Sequence, residues 1–143
     1  MRLSTRSRYG MRLMYELALH YGEGTVFLKQ IAKRQAISEK YLSKLVIPLK
    51  GAGLINSSRG AHGGYTLAKS PREITAKDII KVLEGDIAPV ECVKNRTICS
   101  RSDVCPTLSI WEGLEKIISE YLLGITLENM VTVYKEQSSN FQI

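Results

Sequence analysis

The sequence predicts a mainly helical α+β fold, a run of short amphipathic helices interrupted once by a β-hairpin and followed by one long helix. Two observations carry this. Apolar residues recur at three- and four-residue intervals in several separate stretches between Thr5 and Leu123. One stretch, LINSSRGAHGGYTL at 54–67, shows instead two strand-like runs around a glycine-rich tip. The composition suits a globular domain: 143 residues, 44% hydrophobic and 24% charged.

The elements follow in order. Tyr9, Leu13, Met14, Leu17, Ala18 and Tyr21 form one stripe of a first helix over 5–22, ended by Gly22 and Gly24. Leu28, Ile31 and Ala32 mark a short second helix. Ser38 is a good N-cap for a third, with Leu42, Leu45, Val46 and Leu49 as its buried stripe. Pro48 removes a hydrogen bond from its last turns, where a bend is expected. The tip Gly60–Gly64 then closes a hairpin that needs positive φ angles. Thr75 and Asp78 form a capping box for AKDIIKVLE, which Gly85 closes. The long helix TLSIWEGLEKIISEYLLG carries Leu108, Trp111, Leu114, Ile118, Tyr121 and Leu122 at helical spacing. That face is large for so small a chain, and a partner helix is expected over it. Thr126 caps a last short helix, LENMVTVYKE, with SSNFQI as a loose tail.

No apolar run approaches membrane-spanning length, and the basic N-terminus lacks a signal-peptide core, so a cytoplasmic location with reduced thiols is expected. The charge is uneven. Residues 1–70 hold twelve Lys/Arg against three Asp/Glu, while residues 71–143 hold eight against eleven. The N-terminal half is therefore strongly basic, as a polyanion-binding surface requires.

Two short helices joined by a tight turn, then a glycine-tipped hairpin, is the order of a winged helix-turn-helix. With Leu42, Leu45 and Leu49 buried, Lys40, Ser43, Lys44 and Ile47 fall on the opposite face, which would enter the major groove of duplex DNA. Arg59 and His62 lie in the wing, where Arg59 is placed to reach a minor groove. On an isolated helix these lysines would read as a solvated face; order, spacing and charge together favour DNA. No nucleophile–base pairing is found, and the glycines of GAHGG do not open a helix, so neither an enzyme nor a dinucleotide site is indicated.

All three cysteines lie in CVKNRTICSRSDVC, residues 92–105. Thiolates suit iron–sulfur clusters, zinc and copper(I). The gaps are wider than the paired spacing of most zinc sites, and no fourth cysteine exists. Lys94, Arg96 and Arg101 would favour thiolates and offset a bound cluster's charge. Spacing alone leaves a cluster, free redox-active thiols, zinc and an inert loop open.

The opening MRLSTRSRYGMRLMYELAL, the stretch ISEKYLSKL, the wing SSRGAHGGYTLAKSPREIT and the three-cysteine loop together resemble the Rrf-two family of bacterial winged-helix regulators, most of all its iron–sulfur-binding members. The resemblance extends to about Val133. It implies a homodimer paired through the helix at about Thr107–Leu123, binding two half-sites of double-stranded promoter DNA through Lys40, Ser43, Lys44 and Arg59. It also implies an iron–sulfur cluster on Cys92, Cys99 and Cys105, with 2Fe–2S ahead of 4Fe–4S, whose state changes DNA binding. The histidine that completes the cluster in some members falls at Leu108, and the partner-subunit aspartate of others at Arg8. Neither residue here is a ligand, which leaves the oxygen donors Glu91, Asp103, Thr107 and Glu112, or an exogenous group. The organisation expected is a DNA-binding domain at 1–85, a cysteine-bearing cluster loop at 86–106, and a dimerisation helix with C-terminal helix and tail at 107–143.

Overall fold

A computed structural model describes residues 2–61 and 63–140. Seven α-helices and one hairpin occur among them. Helix α1 (Thr5–Leu19) is shorter than its periodicity predicts: His20 caps it and Gly22, at φ 84°, turns the chain away. Tyr21, expected on the buried stripe, therefore lies beyond the helix and is exposed, while Leu13, Met14, Leu17 and Ala18 are buried as their spacing requires. Gly10 is buried on the same helix because the Leu83 side chain fills the space a Cβ would need.

Helix α2 (Leu28–Gln35) ends at Ala36, which adopts the left-handed conformation. Helix α3 (Glu39–Gly51) starts at the expected cap, Ser38, whose Oγ accepts from the Tyr41 amide at 3.3 Å. It continues through Pro48 to Gly51, and buries Leu42, Leu45, Val46 and Leu49. Strands β1 (Ile55–Ser58) and β2 (Gly64–Leu67) pair antiparallel, with Ile55 opposite Leu67 and Ser58 opposite Gly64. Ile55 and Leu67 are buried and fasten the wing to the core. Val26 and Tyr65 exchange main-chain hydrogen bonds at 2.9 Å, so the segment before α2 lies along the wing. That approach explains Gly64: its φ is 138°, and a Cβ there would sit 2.7 Å from the Val26 carbonyl oxygen.

Helix α4 (Ala76–Glu84) has the expected capping box, with Thr75 Oγ1 accepting from the Asp78 amide and Asp78 accepting from the Thr75 amide at 2.9 Å. A one-turn helix α5 (Glu91–Lys94) and two 3₁₀ turns, Arg96–Ile98 and Ser102–Val104, make up the cysteine-bearing stretch. Helix α6 (Leu108–Leu123) buries only Leu108; Trp111, Leu114, Ile118 and Leu122 are half-buried. Ile110, Ile117 and Tyr121 are exposed along a neighbouring face, and Leu123 is exposed at the helix end.

Helix α7 (Leu127–Asn140) runs further than expected, so 138–140 of the tail are helical rather than loose. Thr126 and Asn129 cap its start reciprocally, and Tyr134 packs edge-on against Tyr15 of α1 at 5.5 Å. Leu127 is fully buried, with Met130 and Val131 against the same core as α1. Main-chain bonds from Ala76 to Ile125 (2.8 Å) and from Leu127 to Ile74 (3.0 Å) return the chain to the head. No described helix is long and apolar enough to cross a membrane.

Candidate nucleic-acid interface and cysteine loop

Burial of one face of α3 fixes the other. Lys40, Ser43, Lys44 and Ile47 are exposed, Ile47 to 70%. Ser43 Oγ donates back to the Lys40 carbonyl at 2.6 Å, an arrangement that occupies its proton and leaves its lone pairs outward. An apolar side chain exposed one turn beyond Lys44 suits a groove in which thymine methyls are offered. Arg59 is exposed at the end of β1, at the edge of the glycine-rich tip. Lys40, Lys44 and Arg59 have no ion-pair partner among the described residues, so their charge is available to a polyanion. His62, the remaining wing candidate, lies outside the described residues.

One contact escaped sequence reasoning. Lys50 Nζ donates to Ser57 Oγ at 2.6 Å, tying the end of α3 to β1 and so setting the wing against α3. The two residues lie seven apart across a turn, and no spacing rule joins a helix end to a strand.

The cysteine loop is lightly packed. Cys92 lies in α5, Cys99 follows the first 3₁₀ turn and Cys105 follows the second. All three are free thiols; Cys99 is exposed, and Cys92 and Cys105 are partly so. Among the described residues no three His, Cys, Asp or Glu side chains converge at metal-binding geometry. Cys105 Sγ and Thr107 Oγ1 are 3.2 Å apart. Hydrogen bonding from Thr107 holds the Cys105 thiol below its ordinary pKa, with Arg101 a smaller contributor. Of the cations expected around the thiols, Arg96 is engaged elsewhere: its Nη2 lies 2.6 Å from Glu112 Oε1 on α6. That pair anchors the loop to the long helix. Leu108 is buried and apolar, and so contributes no ligand.

The donor set fits an iron–sulfur cluster in its chemistry: three unpaired soft thiols within fourteen residues. Between 86 and 107 only Ser102 is buried, so little packing opposes the sulfurs drawing together.

Together, the helix-turn-helix with its basic exposed α3 face, the glycine-tipped wing and the outward α6 define a winged-helix DNA-binding protein. Residues 3–133 match the Rrf2 family, described as an iron-dependent transcriptional regulator. The chain belongs to this family, and it is a DNA-binding transcription regulator rather than an enzyme. It is 44% identical over 132 residues to the HTH-type transcriptional regulator CymR of Bacillus subtilis, covering 92% of this chain and 91% of that one. The solved structure of that protein, called the global cysteine regulator, superposes with a TM-score of 0.79 over 93% of this chain and 98% of the other. IscR of T. potens is 43% identical, with a TM-score of 0.79 over 96% and 90% of the two chains. The oxidized form of Staphylococcus aureus CymR is 38% identical, with a TM-score of 0.74 over 92% and 96%.

Proposed function

We propose that the protein is a cytoplasmic homodimeric regulator of promoter DNA whose affinity for its operator is set by an iron–sulfur cluster on Cys92, Cys99 and Cys105, of the 2Fe–2S type. The observation that carries this reading is the placing of three free thiols on a lightly packed loop joined at one end to α4 and at the other to α6. The likeness to an IscR supports it. Bound there, a cluster would supply a centre that responds to redox state, nitric oxide or iron–sulfur supply.

The protein's own residues supply the rest. Lys40, Ser43, Lys44 and Arg59 of each protomer, with His62, meet one half-site. The exposed apolar face of α6, with Tyr121 at 68% and Ile117 at 66%, pairs with the same face of a second copy. The Arg96–Glu112 pair ties the loop to that helix, so ordering of the loop shifts the population of head-to-head spacings that fit DNA.

The test is a visible absorption spectrum of anaerobically prepared protein, with iron, sulfide and zinc assayed on the same sample, followed by DNA binding of Cys99→Ala. Matching iron and sulfide with visible bands, and altered binding in the variant, are expected. Identical DNA binding by Cys99→Ala under reducing and oxidising conditions would sink the coupling.

A second reading, a metal-free thiol sensor, is favoured by the lowered pKa of the Cys105 thiol and by the solved oxidized form of a relative. A colourless protein that resists cluster reconstitution, with DNA binding that an oxidant changes and a thiol restores, would select it. Zinc in the loop would make it structural.

A further inference from the structure

Arg12 lies on α1, yet it touches the exit of α2 directly and reaches the entry of α3 through one tyrosine ring. Its Nε donates to the Gln35 side-chain oxygen at 2.8 Å, and its Nη2 donates to the Gln35 main-chain carbonyl. Gln35 is the last residue of α2. Ala36 after it, at φ 52°, is the only non-glycine residue with positive φ among those described. A helix end leaves carbonyls unpaired and partly negative, and a guanidinium answers both needs at once. Gln35 is held from the other side as well. Its Nε2 donates to Glu16 Oε1 at 2.6 Å, and Glu16, only 3% exposed, pairs with Arg34 Nε at 3.3 Å. The turn between the two helices, strained at Ala36, is thus gripped by polar groups of α1.

The guanidinium's other neighbour is the ring of Tyr9, whose centroid is 5.4 Å away. Tyr9 in turn meets Tyr41 edge-on, with centroids 5.7 Å apart and planes at 86°. Tyr41 sits in the first turn of α3, beside Lys40. One side chain therefore bridges the exit of α2 and, through one ring, the entry of α3. Those two points fix the direction in which α3 leaves the turn.

We propose that Arg12 is a positioning residue for sequence recognition: clamped between Gln35 and Tyr9, it sets the pose of α3 and so the preference for specific over random DNA. This rests on α3 being the reading helix. Arginine is required because its planar fork donates twice and stacks in one geometry, whereas a lysine keeps the charge and loses both.

The experiment uses two duplexes, one enriched from a random-sequence pool by the wild-type protein and one scrambled, with affinity read by fluorescence anisotropy across a salt series. Arg12→Lys is expected to lose about 10-fold for the enriched duplex, with scrambled-duplex affinity and salt slope unchanged. Tyr41→Leu should lose a similar factor, and the double variant no more than either alone. Tyr9→Phe, which keeps the ring, should match wild type. Should Arg12→Lys fail to fold, Tyr9→Leu breaks the same chain and is read in the same way. Wild-type preference in Arg12→Lys would overturn the proposal. So would equal weakening on both duplexes, which marks a phosphate contact or lost fold, or losses that add in the double variant. Lys44→Ala separates the underlying reading: unchanged affinity there would remove α3 as the reader, whatever Arg12 does.

Discussion

Between Leu13 and Leu83 the helices and the wing close on one another, and Leu13, Ile31, Leu42, Leu49, Ile55, Ile74 and Ile79 are all essentially buried. Between Asp86 and Thr107 the only buried side chain is Ser102, and apart from Arg96 to Glu112 the side-chain hydrogen bonds are short-range ones, such as Ala88 to Asp86 and Thr97 to Asn95. The head is specified by long-range packing that exists without any ligand. The loop has local turns and one anchoring ion pair, which do little against the entropy of ordering some twenty residues. Segments of this kind sit at the low-stability end of a molecule, where binding or oxidation can reset them at small cost. The division suits the function proposed above, a reader of fixed shape joined to a sensor of adjustable shape.

The largest effect that can break this comparison comes from core truncation. Leu42→Ala should cost about 2–5 kcal/mol in denaturant unfolding, because the cavity lies between α3 and the rest of the head. Val104→Ala in the loop, at a side chain 77% exposed, should stay within about 0.5 kcal/mol. Comparable losses would place the loop inside the cooperative unit. Limited trypsin digestion sharpens the same point, since Lys94, Arg96 and Arg101 are exposed in the loop while Lys40 and Lys44 lie within a packed helix. The first cuts should fall in the loop, with fragment masses reporting an intact head. Early cuts in α3 would reverse the ranking.

A middle-sized effect lies at the caps. Thr75→Ala removes the Oγ1 that accepts from the Asp78 amide at the start of α4, leaves the Thr75 amide bonded to the Asp78 carboxylate, and should cost about 1 kcal/mol. A neutral result would mean that packing of Ile79 and Leu83 alone holds that turn.

The same contrast governs what could be read before the structure. Ser38, Thr75, Gly85 and the wing glycines are local signals, and each sits where its backbone chemistry demands. Leu42, Leu45 and Leu49 are buried together because helical periodicity is a strong local constraint. Tyr21 misled because its spacing fits a helix that Gly22 ends one turn earlier. The tail at 138–140 looked loose because polar residues there give no period, while α7 is held by Leu127, Met130 and Tyr134 against α1. At the site, exposure of Lys40, Lys44 and Arg59 followed from the pattern. The Arg96–Glu112 and Lys50–Ser57 contacts did not, since each joins elements whose relative placement is tertiary. Arg12 stood in the sequence only as one basic residue among several near the start of α1, and its grip on Gln35 spans 23 positions.

The smallest predicted effect lies where the two regions meet. Glu84 ends α4, and its Oε1 accepts from the Ser4 amide at 2.5 Å, closing the N-terminus onto the last turn before the loop. Hydrogen bonding from Ser4 holds the Glu84 carboxyl below the usual carboxylate range against opposing burial, with Ser7 and Arg6 adding to the lowering. A carboxyl depressed in the folded state stabilises it above the unfolded-state pKa, and that contribution is lost as the pH falls through the folded-state value. Glu84→Gln should therefore be less stable than wild type near neutrality, and the two should converge in acid, below the carboxylate range at about pH 4. Denaturant midpoints measured at both ends of that window read the difference. A gap that stayed constant across pH would show that the contact acts through shape alone. A gap that closed, without change in loop cleavage by trypsin, would show that the boundary belongs energetically to the head.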